Sequence, residues 1–283
     1  MQAALQSKLG TFEHALTAKP GDATVFARDA LRAGYQFIVG VGGDGTFHEI
    51  VNGFFDGDTP LGAQPILGLV PAGTGGDTRR TWNVPRDPVA AIAGLAGTKT
   101  QPADLGRIRL GDGTIRYFVN IASFGSSADV CRRVNSGKKR LGGRLTFFLG
   151  ALGATLRYVP RSVTLLTDGD SVKAVPALNV GAVALGQYFG GGMRVAPRAD
   201  PSDKAFDVVT IGGRSALGMM ALTSIYSGNH VGADGVSMWR GTRVDATSDH
   251  ALGCEIEADG ELVGPFPASF ELLPHAIRIK VPG

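Results

Sequence analysis

Asp44 and Thr46 sit in the run Phe37-Ile38-Val39-Gly40-Val41-Gly42-Gly43-Asp44-Gly45-Thr46, where an apolar strand feeds a glycine turn that carries an acid and a hydroxyl. Backbone N–H groups at such a turn, backed by the start of a following helix, hold phosphate oxygens. Asp44 would repel a bare anion unless a divalent cation or a hydroxyl donor lay between, so a metal-bound nucleotide suits the loop better than free phosphate. The dipeptide Asp-Gly recurs at Asp56, Asp112, Asp168, Asp234 and Asp259, and by itself signals only a hairpin turn. Its setting distinguishes Asp44: residues 37–41 read as a buried parallel strand, and Thr46 is expected to N-cap a helix over residues 47–53.

The pattern returns once. After the apolar run 66–70 comes Pro71-Ala72-Gly73-Thr74-Gly75-Gly76-Asp77-Thr78-Arg79-Arg80, again a strand, a glycine turn with a hydroxyl, and a helix start. Thr74 and the amides of Gly73 to Gly76 suit phosphate oxygens, with Asp77 placed to position metal or water. Both loops are expected at the carboxyl ends of neighbouring strands, where open α/β sheets bind ligands. Gly40 to Gly45 also satisfies the dinucleotide pattern G-x-G-x-x-G. Against that reading, Asp44 would sit inside the pyrophosphate loop, and the next strand ends in Pro71-Ala72 instead of a ribose-binding acid. No G-x-x-x-x-G-K-[ST] loop occurs, which argues against a P-loop enzyme.

Strands and helices must hold these loops in place. Helices are expected near residues 3–8, over 22–33 and 87–96, and near Asp77. Strands are expected at 11–15, 36–41 and 65–70. This alternation predicts a parallel α/β domain over residues 1–104. From Leu105 the pattern changes to strands joined by turns, at 106–110, 116–122, 163–167, 177–185, 206–211, 243–247, 254–258, 269–273 and 276–281, with helical stretches at 143–157 and 216–227. That predicts a mostly antiparallel β-sandwich over residues 105–283.

A chain of 283 residues that is 43% hydrophobic can bury a large core. Its net charge of +3 shows no nucleic-acid footprint. Cys131 and Cys254 are too few and too far apart for a disulfide framework or a zinc site, and cytosolic, reduced cysteines are expected. The first residues lack a secretory signal, and no apolar run reaches the length of a membrane span, so the chain is expected to be soluble. The cluster Lys138-Lys139-Arg140 followed by Phe147, Phe148 and Leu149 suits peripheral contact with an anionic membrane, or else a solvated turn leading into a core helix.

Taken together, these motifs resemble the diacylglycerol kinase catalytic-domain family, in particular its soluble bacterial lipid kinases. The resemblance rests on Gly42-Gly43-Asp44-Gly45-Thr46 with Glu49, Val51, Asn52 and Gly53, and on Pro71, Gly73, Thr74, Gly75, Asp77 and Arg80. It extends through Tyr117-Phe118-Val119-Asn120-Ile121-Ala122-Ser123-Phe124-Gly125, Tyr188-Phe189-Gly190-Gly191-Gly192-Met193 and Asp259-Gly260-Glu261. It covers nearly the whole chain, with its motifs in family order. It implies an NAD kinase-like nucleotide domain, a β-sandwich lipid domain, and Mg²⁺- and ATP-dependent phosphorylation of a lipid hydroxyl in the cleft between them, with diacylglycerol favoured and phosphatidic acid as product.

By that resemblance the two glycine loops, Glu49 and Arg80 bind the nucleotide. Asp259 is the general base and Glu261 a supporting carboxylate, although the segment taken alone reads as a hairpin turn. Asp203 holds a structural Mg²⁺, with Asp200 and the backbone of Ala205 as its expected neighbours; the competing reading is a solvated acidic turn. The sequence departs from the family where Gly76 and Leu185 replace asparagines and Lys204 replaces a glycine. The family's first strand and its Asn-Pro-x-Ser-Gly-like nucleotide loop have no counterpart here. Two other readings follow from the same loops: an NAD kinase, which shares the Gly-Gly-Asp-Gly-Thr turn, and a catalytically silent nucleotide- or lipid-binding relative.

Overall fold

The computed structural model describes residues 1–136, 158–213, 224–249 and 255–282. In chain order the elements are α1 (Gln2–Leu9), α2 (Asp22–Arg32), β1 (Phe37–Gly42), α3 (Asp44–Gly53), β2 (Phe55–Asp56), β3 (Thr59–Pro60), β4 (Ile66–Pro71), α4 (Asp77–Thr81) and α5 (Pro88–Leu95). There follow β5 (Thr100–Leu110), β6 (Ile115–Phe118), β7 (Ile121–Gly125), α6 (Ser126–Ser136), β8 (Arg161–Thr167), β9 (Ser171–Ala184), β10 (Phe206–Gly212), β11 (Val236–Gly241), β12 (Arg243–Ser248), β13 (Glu255–Ala258), β14 (Glu261–Pro265) and β15 (Ala268–Lys280).

The parallel part is the run β1-β4-β15. Phe37 pairs with Ile66 and Gly42 with Pro71, so the two glycine loops leave adjacent strands at the same level. Beyond β15 the ladders described are antiparallel, in the order β15-β12-β8-β9-β7-β13-β14 with β10, β11, β5 and β6 branching from it. The N-terminal strands are apolar on both faces because helices cover them: Leu67, Leu69, Phe47, Ile50 and Val51 share one buried cluster. A second core, built on Phe118, Phe124, Phe206 and Phe270, fills the antiparallel part.

Strand β15 belongs to both parts. Its first residues pair with β12, while Arg278 and Ile279 pair with Ile66 and Leu67 of β4. Two strands were expected here. Pro274 and His275 only interrupt the ladder, with the register against β5 shifting between Leu273 and Ile277, because β5 spans the break on the same neighbour.

Other expectations need correction. Residues 11–15 form no ladder among the described residues; Phe12 packs beside Phe37, Val39, Val70 and Leu95. Helix α3 begins at Asp44 with Gly43 as its N-cap, so Thr46 lies inside the first turn and its amide donates to the Gly43 carbonyl at 3.0 Å. The expected strand 116–122 is split into β6 and β7, because the amides of Val119, Asn120 and Ile121 turn toward a side chain, Asp259. The sequence reading missed β11, β14 and the small β2–β3 hairpin. The expected helix 143–157, most of 216–227 and the basic-aromatic segment at 138–149 lie outside the described residues.

Candidate active site

The two glycine loops touch through their backbones. A Cβ placed on Gly73 would lie 2.6 Å from Gly43 Cα, and one on Gly42 would overlap the Thr46 hydroxyl. Glycine at these positions lets the loops close into one rim. Asp44 then locks them. Its Oδ2 accepts the amides of Gly76 at 2.7 Å and Asp77 at 3.3 Å, and its Oδ1 accepts that of Thr78 at 2.9 Å. These are amides at the start of α4, so Asp44 caps that helix from a distant part of the chain. The family departure at Gly76 fits this turn: the residue is in the left-handed conformation, φ 74°, where glycine is favoured.

Asp77 makes the next connection. One oxygen pairs with Arg80 Nη1 at 2.7 Å and the other accepts the Gly191 amide at 2.7 Å, tying the second loop to the Tyr188–Met193 motif. Burial lifts the Asp77 carboxyl above the ordinary aspartate range, and the nearby Asp44 charge adds to that, against the Gly191 amide and Arg80. Arg80 also donates to the Gly75 carbonyl at 3.0 Å, so it braces the loop from within. Asn120 ties the same region together: Thr81 Oγ1 donates to its Oδ1 at 2.9 Å, and its Nδ2 donates to the Tyr188 carbonyl at 2.7 Å.

Glu49 caps a helix as well. Its carboxylate accepts the amides of Gly21 at 2.9 Å and Ala23 at 3.1 Å, which fixes the start of α2. Both of its oxygens are therefore held by backbone, although the residue lies on the wall of the cavity described next.

A cavity of about 860 Å³ opens in front of these loops. It is lined by Gly43 to Thr46 and Gly73 to Gly75 of the loops and by the apolar side chains of Val130, Val180, Phe189, Met193 and Ile225. The amides of Gly73, Thr74 and Gly75 carry no backbone hydrogen bond among the described residues. Asp259 and Glu261 reach the same cavity from the β13–β14 turn, as the sequence places them. Glu261 is exposed and stands over the first loop, where a Cβ on Gly45 would lie 2.9 Å from its Oε1.

Asp259 occupies a different setting. Its side chain has no exposure. Oδ1 accepts the amides of Asn120 at 3.0 Å and Ile121 at 3.1 Å, while Oδ2 accepts the amide of Val119 at 3.0 Å and faces His48 Nδ1 at 3.3 Å. In the tautomer with its proton on Nδ1, His48 donates to Oδ2, and Asn52 Nδ2 lies 3.3 Å from the other ring nitrogen, Nε2. All four lone-pair directions of Asp259 are used, and a proton arriving there has to displace one of these donors. His48 carried no signal in the sequence, since its partner is 211 positions away.

The acids expected around a structural Mg²⁺ are held otherwise. Arg240 forms a close ion pair with Asp203 Oδ2, Asp203 Oδ1 accepts the Ala205 amide at 3.2 Å, and Asp200 Oδ1 takes the amide and hydroxyl of Ser202. Both Asp203 oxygens therefore have protein donors among the described residues. Among the described residues no group of three His, Cys, Asp or Glu side chains converges on a metal position.

Residues 1–108 match the diacylglycerol kinase catalytic domain, and residues 120–281 match the YegS C-terminal NAD kinase beta sandwich-like domain. The chain belongs to the diacylglycerol kinase family. It is similar to the diacylglycerol kinase of Bacillus subtilis, at 28% identity over 98% of this chain and 88% of that one. It is also similar to the diacylglycerol kinase of Mycobacterium tuberculosis, at 29% identity over 92% and 82%. The fold is shared with the crystal structure of a diacylglycerol kinase from Bacillus anthracis, at a TM-score of 0.71 and 18% identity over 98% of this chain and 88% of that one. Among the described residues no helix is long and apolar enough to cross a membrane.

Proposed function

We propose that this chain transfers the γ-phosphate of Mg-ATP to the hydroxyl of a lipid alcohol, with diacylglycerol as substrate and phosphatidic acid as product. The observation that carries the reading is one cavity lined both by the closely packed glycine loops and by the apolar side chains of Val180, Phe189, Met193 and Ile225. Phosphoryl transfer asks a protein mainly to position its reactants and to neutralise charge. The loop amides of Gly73 to Gly75 suit phosphate oxygens, and the apolar lining suits an acyl chain.

Mg²⁺ supplied with the nucleotide would neutralise charge on the transferring phosphate. Glu261 is the carboxylate available to it, since it makes no hydrogen bond or ion pair among the described residues. Asp44 and Asp77 keep the two loops assembled. Asp259 holds the 119–121 turn that forms the adjoining wall, and any proton it takes from substrate comes at the loss of one of its four contacts. The relatives named diacylglycerol kinase support the choice of substrate.

The test is transfer of labelled phosphate from ATP to a panel of dispersed lipid alcohols, with NAD as a further acceptor. Labelled phosphatidic acid is the expected product. Label in NAD, or nucleotide binding with no transfer to any lipid, would sink the reading.

A further inference from the structure

Asp44, His48 and Asn52 follow one another at four-residue intervals along α3 and so share one stripe of that helix. Asp44 locks the two glycine loops. His48 and Asn52 have no part in the roles above, and both bond outward from α3, to Asp259 and to β6.

Asn52 meets Tyr117 of β6 as a neighbouring strand would. Its Oδ1 accepts the Tyr117 amide at 3.0 Å, and its Nδ2 donates to the Tyr117 carbonyl at 2.9 Å. The same NH₂ donates to the His48 carbonyl at 2.9 Å and lies 3.3 Å from His48 Nε2. A ring proton on Nε2 would point at that NH₂, so the arrangement favours the tautomer with its proton on Nδ1, which then donates to Asp259 Oδ2.

These bonds close a circuit. Helix α3 reaches β6 through Asn52; the chain leaves β6 into the turn whose amides, those of Val119, Asn120 and Ile121, donate to Asp259; and Asp259 returns to α3 through His48. Three of the four groups around Asp259 thus come from one stretch of backbone, and His48 is the one side chain among them. Asp259 lines the cavity and His48 does not, so His48 acts on anything bound there through Asp259.

We propose that His48 is a positioning residue for phosphate transfer: its Nδ1–H holds Asp259 Oδ2, and α3 sets that carboxylate at a fixed place relative to the glycine loops that Asp44 locks. This rests on the phosphotransferase reading above, with Asp259 as the base that the family resemblance implies. In the transfer the acceptor oxygen bonds to the γ-phosphorus as the bond from that phosphorus to the β,γ-bridging oxygen breaks, with its electron pair leaving on ADP. The acceptor proton passes to the Asp259 carboxylate, and nothing is oxidised or reduced. Without His48 the carboxylate is held from the 119–121 turn alone and has lost its bond to the helix that carries the nucleotide loop. A displacement of about 1 Å at a group that must meet its substrate costs up to roughly a hundredfold in rate.

The experiment measures transfer from ATP to dispersed diacylglycerol by wild type, H48L, H48N, D259N and the double variant. Leu has no donor. Asn carries its NH₂ on Cγ, the atom that bears Nδ1 in histidine, and presents a donor to Oδ2 from the same place. H48L is expected to lower kcat by about tenfold or more while KM for ATP stays within about twofold, and H48N to restore kcat to within about threefold of wild type. In the D259N background H48L should change kcat by less than about twofold, because the ring acts through that carboxylate. H48Q, whose NH₂ falls where Nε2 lies in histidine, replaces H48L as the variant without a donor at Nδ1 if H48L does not fold. A purely structural role would lower the unfolding temperature and leave kcat per folded molecule at its wild-type value. An H48L that keeps wild-type kcat, one that loses as much again in D259N, or a D259N at wild-type kcat overturns the positioning role. A wild type that uses another lipid alcohol but not diacylglycerol overturns the substrate reading alone, and the same variants are then read on that alcohol. No transfer from wild type to any acceptor overturns the phosphotransferase reading and the positioning role with it.

Discussion

The carboxylate of Asp44 accepts the amide of Thr78 at 2.9 Å across 34 positions of sequence, so the first glycine loop supplies the helix cap of the second. With Gly76 and Asp77 included, three amides depend on one side chain. Asn at position 44 brings one acceptor oxygen and turns a donor NH₂ toward those amides. D44N should lose about 1–3 kcal/mol of stability and lower ATP affinity by tenfold or more, because the loops are no longer held together. Thermal unfolding and calorimetric titration with ATP read the two effects. Unchanged affinity in a destabilised protein would separate the cap from the nucleotide site.

Gly73 and Gly43 pack backbone to backbone, with no side chain between them to move aside. G73A places a Cβ 2.6 Å from Gly43 Cα, and the loops must part to admit it. Overpacking of this kind costs about 1–3 kcal/mol, and here the displaced atoms are those proposed to hold phosphate. ATP binding should weaken by at least about tenfold. Transfer should be lost in parallel at limiting ATP. A G73A protein with wild-type ATP affinity would show that the rim need not be closed.

The loops were legible in the sequence because local patterns write them: an apolar strand, glycines at fixed spacing and a helix start. Their internal roles were not. Asp44, Glu49 and Arg80 read as ligands for a nucleotide, and the sequence did not show that each also holds protein backbone in the fold, since a carboxylate near a helix start serves an amide as readily as a metal. Asp259 appeared as one member of a hairpin, and its partners in β7 and α3 are nonlocal. The hydrogen bond from Ser123 to Glu257 left no trace, because it joins residues 134 positions apart through the β7–β13 pairing.

Arg240 pairs with Asp203, the acid expected to hold Mg²⁺, and its Nε also lies 4.0 Å from the buried Asp207. Burial pushes Asp207 up to about 6, with Arg240 opposing and Asp203 adding to the rise. The unfolding temperature of nucleotide-free wild type is expected to be the same in Mg²⁺ and in a chelator. R240M should lose about 1 kcal/mol, a modest figure because the guanidinium is half-exposed, and should regain part of it in Mg²⁺. A wild type that the chelator destabilises would restore the metal reading of Asp203.

Glu257 governs how stability varies with pH. Its carboxyl stands at 4.5 in the unfolded reference and is raised to about 7 in the fold, chiefly by burial. Below the unfolded value both states carry the proton and the group contributes no pH dependence. Between the two values the unfolded chain releases its proton while the folded one keeps it, so stability falls as pH rises. Above the folded value the loss is complete at about 3 kcal/mol. Gln at 257 keeps one acceptor oxygen for the Gly260 amide, turns its NH₂ toward Ser123 Oγ, which can accept from it, and cannot titrate. The stability of E257Q relative to wild type should therefore rise by about 3 kcal/mol between about pH 4.5 and about pH 8, read by urea unfolding along the series. Parallel stability curves would mean that Glu257 titrates in the fold as it does in the unfolded chain, with no rise from burial.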